Sequence, residues 1–202
     1  MMGDYHVRFC ERFEVKALLP TQPIWNMNIT VENRLKEISI RGRMALGIKC
    51  LEIVLDKNKL IHNKDIKELL SILWKFISSE SLESWSEEIM DYDPKSLIED
   101  YENSNFECFR LLSEVEIKSI YYIYRNSKSE VLELIELVTA IGTGNLYAGT
   151  SEYSKSTLIP TIKVLNLMAR NNYRTPKLEN FEKSKYSEFH GWGTKRDKSF
   201  FD

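Results

Sequence analysis

The chain has 202 residues, enough for one domain or two small ones. Hydrophobic residues make up 43%, charged residues 29% and aromatics 11%, an ordinary composition for a soluble protein. Lys plus Arg number 28 and Asp plus Glu 30, so the net charge is -2, which excludes a generally basic nucleic-acid binder and a wholly acidic disordered chain.

A chain of this length buries roughly 70% of its unfolded surface and needs neither a disulfide nor a metal to fold. No apolar stretch approaches the roughly 20 residues of a membrane span, and the start of the chain lacks the pattern of a secretory leader. Cys10, Cys50 and Cys108 are odd in number and widely spaced, never paired as C-x-x-C. A cytoplasmic protein without metal or other cofactor is expected. Cys50 falls in an apolar helical run and reads as a small buried hydrophobe.

Taken in chain order, Tyr5 to Leu19 suits a first helix stopped by Pro20 and Pro23. Leu35, Ile38, Ala45, Ile48, Leu51 and Leu55 mark one face of a single long helix from Val31 to Asp56. Gly42 and Gly47 weaken that helix by roughly 1 kcal/mol each unless they let a neighbour approach closely. The clearest helix follows, with Asn63 as N-cap and Ile66, Leu69, Leu70, Leu73, Trp74 and Ile77 at amphipathic spacing. Asp93-Pro94 starts a short helix through Tyr101. Ser113 with Glu116 forms a capping box before Ile117, Ile120, Tyr121 and Tyr124.

A second capping box, Ser127 with Glu130, opens a helix carrying Val131, Leu134, Ile135, Val138 and Ile141. Gly142 and Gly144 suit its C-terminal turn. A last helix starts near Pro160 and ends at Asn171. Period-two strands are missing, so the expected fold is all-α, a bundle-like array of about six to eight helices. Residues 1–172 form the helical domain. Residues 173–202 form an irregular arm, too rich in aromatics for a disordered tail, that should pack on the same domain.

No metal-ligand pair, phosphate loop or nucleophile elbow occurs, and His6, His62 and His190 stand apart from one another. The sequence therefore does not point to an enzyme. One alternative is a small-ligand binder or enzyme whose pocket joins the Gly142–Gly149 turn to the His190-Gly191-Trp192-Gly193 motif of the arm.

Charge is the sharper signal. From Glu80 to Glu107 there are ten acidic residues against Lys95 alone, a local charge of -9. Arg34 to Lys75 carries ten basic residues against five acids, a local charge of +5 that reads as solvated helix exterior. Aromatics lie among the acids, as they do at the anchors of protein interfaces. Trp85, Glu87, Glu88, Asp91, Tyr92 and Asp93 are the expected partner-binding residues, and such a face would speed association with a cationic partner.

The segment Arg43-Met-Ala-Leu-Gly-Ile-Lys-Cys-Leu-Glu52 resembles one in helical immunity proteins of bacterial polymorphic toxin systems. Ile141-Gly-Thr-Gly-Asn-Leu-Tyr147 and Glu188-Phe-His-Gly-Trp-Gly193 are similar in the same way. The resemblance covers about 23 residues and contains no catalytic signature. It implies a non-enzymatic cytoplasmic antidote that binds a cognate toxin protein. A nuclease toxin with a basic cleft would complement the acidic segment, and neither nucleic-acid nor membrane binding by the chain itself is expected.

Overall fold

The computed structural model describes residues 29–146 and 149–202. Among these residues are eight α-helices, four short 3-10 turns and no sheet, which is the expected all-α array. The expected helix from Tyr5 to Leu19 lies outside the described residues.

The long helix expected from Val31 to Asp56 is two helices, α1 (Ile29–Glu37) and α2 (Ile40–Lys57). Ser39 separates them. Its hydroxyl accepts the Gly42 N–H and caps α2, while its own N–H donates to Ser184 of the arm. Beside it, Ile38 makes a β-bridge with Lys185. Hydrophobic periodicity carried through this break because Leu35, Ile38 and Ile40 are all buried on both sides of it.

Thirteen of the 18 residues of α2 are buried, so this helix is enclosed on nearly all sides and forms the axis of the fold. It packs on α3 (Lys64–Ser78), α7 (Ser129–Thr143) and α8 (Ser151–Arg170). Gly47 permits a close approach of α7: a Cβ there would meet Ile141 Cδ1 at 3.0 Å and Val138 Cγ2 at 3.3 Å. Full burial of each Leu or Ile along this axis contributes about 1.5–3 kcal/mol.

The caps of α3, of α5 (Pro94–Glu102) and of α6 (Glu114–Arg125) are as expected. The Asn63 side chain accepts the Asp65 and Ile66 N–H groups, and Ser113 and Glu116 close both halves of their box. The expected box at Ser127 does not form. Ser127 Oγ donates to the Ile123 carbonyl, so it finishes α6, and α7 starts after Lys128 without a side-chain cap.

Helix α8 starts well before Pro160, which lies in its interior. Its first turn is unusual, because Glu152, Tyr153 and Ser154 have φ of 52°, 57° and 48°. Three successive left-handed residues without glycine are costly and persist only where surrounding contacts fix them. The fixing contacts come from Arg43, described in the next subsection. A left-handed turn has no pattern of apolar spacing, and for that reason the start of α8 was invisible to periodicity.

The arm lies chiefly over the α1–α2 junction. Tyr186 N–H donates to Glu37 O (2.8 Å), and Arg41 N–H donates to Trp192 O (3.1 Å). Phe181 and Phe201 stack 5.8 Å apart, both buried. Phe189 is the exception among the arm's aromatics, 69% exposed. Gly193, with φ of 81°, sits where a Cβ would fall 2.6 Å from Ser39 Cβ, so the arm can lie this close only with glycine at that position.

Gly142 does not take a left-handed turn, as was expected of it. It lies inside α7 and gives room to the Trp85 indole, and a Cβ there would come within 3.0 Å of Trp85 Cζ2 and Cζ3. Gly142→Ala should therefore lower unfolding free energy by about 1–3 kcal/mol, the usual cost of overpacking. Gly149→Ala, whose Cβ would meet nothing within 4 Å, should change it by less than about 0.5 kcal/mol. Urea melts of both variants check this.

Candidate functional site

The acidic segment folds as α4 (Leu82–Met90), a turn, α5 and the loop before α6. Helical spacing and the following turn put Trp85, Ile89 and Tyr92 on the inner side. Trp85 is 2% exposed, its indole N–H donates to Ile72 O (2.8 Å), and its ring meets Phe76 edge-on at 4.8 Å. Trp85 thus serves as a core anchor between α4 and α3, which corrects the expectation of an exposed contact residue.

Asp91 and Asp93 also have structural tasks. The Asp91 carboxylate is buried and accepts the backbone N–H groups of Arg110 (3.0 Å), Leu111 (2.8 Å) and Leu112 (3.2 Å). Such charge-assisted bonds are roughly twice as strong as neutral ones, and here they fold the 110–112 loop against α4. Asp93 caps α5 by accepting the Ser96 N–H (2.9 Å).

Surface acids of the segment are partly neutralised by distant cations. Glu80 pairs with Lys195 (2.9 Å), Glu87 with Arg110 (3.2 Å), Glu88 with Lys75 (2.7 Å) and Glu102 with Arg125 (3.5 Å). Exposed pairs of this kind contribute only about 0–1 kcal/mol each. Their effect is instead on potential: the -9 counted along the chain is much reduced on the folded surface.

Three carboxylates nonetheless border one groove, although Glu88 is the one ion-paired with Lys75. A groove of about 270 Å³ lies between α3, α4, the 110–112 loop and α6. Glu68, Glu88 and Glu116 border it, with Ile72, Tyr92, Leu111 and Leu112. Glu116 accepts both the N–H (2.9 Å) and the O–H (2.6 Å) of Ser113, which hold its carboxyl below the usual range. Glu68 forms no ion pair among the described residues. Burial first, then the carboxylates of Glu68 and Glu116, push the Tyr92 phenol well above its ordinary range. Leu111 stands 61% exposed beside these acids.

Of the six expected contact residues, the fold brings Glu88 and Tyr92 to this groove. Glu87 stays exposed outside it, Trp85 and Asp91 are buried behind its walls, and Asp93 caps α5. Glu68 and Glu116 were missed because one lies in the basic stretch and the other was read as a helix cap. The available signal was the polar face of α3, where Glu68 falls opposite the apolar stripe.

The basic stretch is not simply solvated exterior either. Arg43 is fully buried and Arg41 is 5% exposed. Arg43 donates to Leu35 O (3.0 Å), Lys36 O (3.2 Å), Tyr153 O (2.7 Å) and Thr157 Oγ1 (2.9 Å), and its guanidinium lies 5.1 Å from the Tyr186 ring centre. Burial pulls its pKa down to about 10, so it stays charged at neutral pH. Arg41 donates to Phe76 O, Ile77 O (2.9 Å) and Ser79 O (3.0 Å), satisfying the last carbonyls of α3.

A larger groove of about 870 Å³ follows the seam between α2, α3 and the arm. Part of its charge is paired at one end. Lys198 and Lys49 both reach Glu52, Lys49 also pairs with Asp202 (2.5 Å), and both ammonium groups lie within 5.5 Å of the Trp74 ring centre. We regard it as the seat of the arm, not as the acidic site. His190 is exposed, while Tyr186 Oη donates to Thr150 O. The arm thus folds back near the turn after α7, and His190 lines neither of these two grooves. No group of three His, Cys, Asp or Glu among the described residues could hold a metal ion. No described helix is long and apolar enough to cross a membrane.

Removing the Asp91 clamp should loosen the wall of the acidic groove. Asp91→Ala is expected to cost about 2–4 kcal/mol, for loss of bonds to a charged group and exposure of three N–H donors. Glu87→Gln should cost at most about 1 kcal/mol. Thermal melts give the ranking, and equal effects would contradict it.

Comparison with family models, with curated proteins and with solved structures finds no match for this chain.

Proposed function

We propose that this chain is a non-enzymatic protein-binding antidote, a cytoplasmic immunity protein that neutralises a cognate bacterial toxin domain. The contact surface in this reading is the acidic groove with Glu87 and Leu111 at its edge. The observation that carries it is the convergence of Glu68, Glu88 and Glu116 beside an exposed leucine. Acidic groups set around a partly apolar groove suit a positively charged protein surface, giving faster encounter and a fixed register. The resemblance of Arg43–Glu52, Ile141–Tyr147 and Glu188–Gly193 to helical immunity proteins supplies the biological setting. A nuclease toxin is one partner whose basic cleft would fit.

The test is co-expression with the polypeptide encoded immediately upstream of this chain. A stoichiometric complex that restores growth is the expected result. The triple variant Glu68→Lys, Glu87→Lys, Glu88→Lys should slow association at low salt by about tenfold or more and flatten its salt dependence. Asp91 is left out because its carboxylate holds the loop. If the upstream product neither binds nor is neutralised, the antidote reading fails.

A further inference from the structure

We propose that the larger groove, between α2, α3 and the arm, is a docking site for an acidic amphipathic segment of a partner polypeptide. This surface is separate from the acidic groove and does not depend on the antidote reading. Two helix faces make its walls. Lys49, Ile53 and Lys57 recur at helical spacing along α2, and Lys67, Leu70 and Trp74 do so along α3. The arm closes a third side. From Lys49 to Lys57 the α2 wall rises about 12 Å, roughly two turns of helix. At about 870 Å³ the groove has room for a short length of chain.

Floor and rim together select the occupant. Ile53, Ile61, Trp74 and Pro176 are half-buried along the groove, so apolar surface there still meets solvent. At one end Lys49 and Lys198 are held by Glu52 and Asp202. At the other stand Lys57, Lys67 and Lys177, all exposed, one each from α2, α3 and the arm. None of these three forms an ion pair among the described residues. Asp56 beside them is an acid equally without an ion pair there, so the lysines prevail. Lys177 also acts on Glu179, which Arg34 already holds at 2.7 Å. A segment with apolar side chains over the floor and carboxylates toward the lysine end matches both features. Burial of its apolar side chains supplies affinity, while the uneven charge sets its direction and the rate of encounter. A nucleic-acid strand fits less well, because its phosphates carry charge along the whole length and would meet Glu52 and Asp202 at the paired end.

The probe is a phage-displayed library of random peptides of about twelve residues, long enough for the two turns, selected on the full chain at low ionic strength. Enriched peptides should combine large apolar residues with several Asp or Glu toward one end. A synthetic copy of the most enriched peptide should saturably shift the NMR signal of the Trp74 indole N–H, which donates to Glu52 at 2.9 Å. Its copy with every acid changed to the amide should bind about tenfold or more weakly at low salt. On the protein side, the triple variant Lys57→Glu, Lys67→Glu, Lys177→Glu should weaken the acidic peptide by about tenfold or more. The milder triple variant to Gln should weaken it by about threefold, and it answers the question if charge reversal disturbs folding. An acidic peptide that shifts Trp74 and is lost in these variants supports the proposal. Enrichment of no peptide, or of basic or neutral ones, overturns it, as does a peptide that leaves Trp74 unmoved or binds the variants equally. An oligothymidylate or phosphatidylglycerol vesicles that move the Trp74 signal when no acidic peptide does would give the groove to another anion and overturn it too.

Discussion

The guanidinium of Arg43 is the constraint on which the rest of this structure depends. It is fully buried on α2, and no carboxylate pairs with it among the described residues. A buried charge in this position is tolerated only if its donors are satisfied. Here four oxygens, three of them backbone carbonyls, supply that need. Leu35 and Lys36 belong to the last turn of α1, whose carbonyls have no partner within the helix. Tyr153 O lies in the left-handed turn that begins α8, where three residues hold positive φ. One side chain thus finishes α1, fixes the start of α8 and places its charge by the Tyr186 ring of the arm.

Arg41 does comparable work two residues earlier in the chain. Its side chain holds the last carbonyls of α3, while its backbone N–H takes Trp192 O of the arm. The two arginines therefore tie α2 to α1, α3, α8 and the arm through carbonyl oxygens. Ion pairs such as Arg34 with Glu179 and Glu182, or Lys198 with Glu52, then add contacts at the margin. Fixing α3 in this way matters for the acidic groove, because Glu68 and Ile72 of α3 form one wall of it. Trp85 locks α4 to the same helix, and Asp91 folds the 110–112 loop into the opposite wall.

What the sequence revealed follows from whether an interaction is local. Caps at Asn63, Asp93 and Ser113 act within three residues, and each was legible. The apolar stripe of α3 was equally plain, and the all-α class followed from such stripes. Ser127 had the right spacing for a capping box, but its hydroxyl turned back to Ile123, a choice that spacing cannot distinguish. The break at Ser39 depends on Ser184 and Lys185, more than a hundred residues away, and the left-handed start of α8 depends on Arg43. Neither leaves a periodic trace. Charge counting met the same limit. It located an acidic segment correctly but could not see that Trp85 faces inward or that Asp91 binds a loop. Nor could it see that Glu68, from a stretch of opposite sign, joins Glu88 and Glu116 across the fold.

The claim that Arg43 holds the arm and the start of α8 on the helical domain is tested most directly by amide hydrogen exchange on Arg43→Lys. Lysine keeps the charge but presents three donors from one atom, without the planar fork that reaches both sides. The account predicts that Tyr186, Ser39 and Arg41 amides lose about tenfold or more of their protection, while amides of α5 and α6 keep theirs. Unchanged protection at Tyr186, Ser39 and Arg41 would contradict it, as would a loss spread equally over every helix.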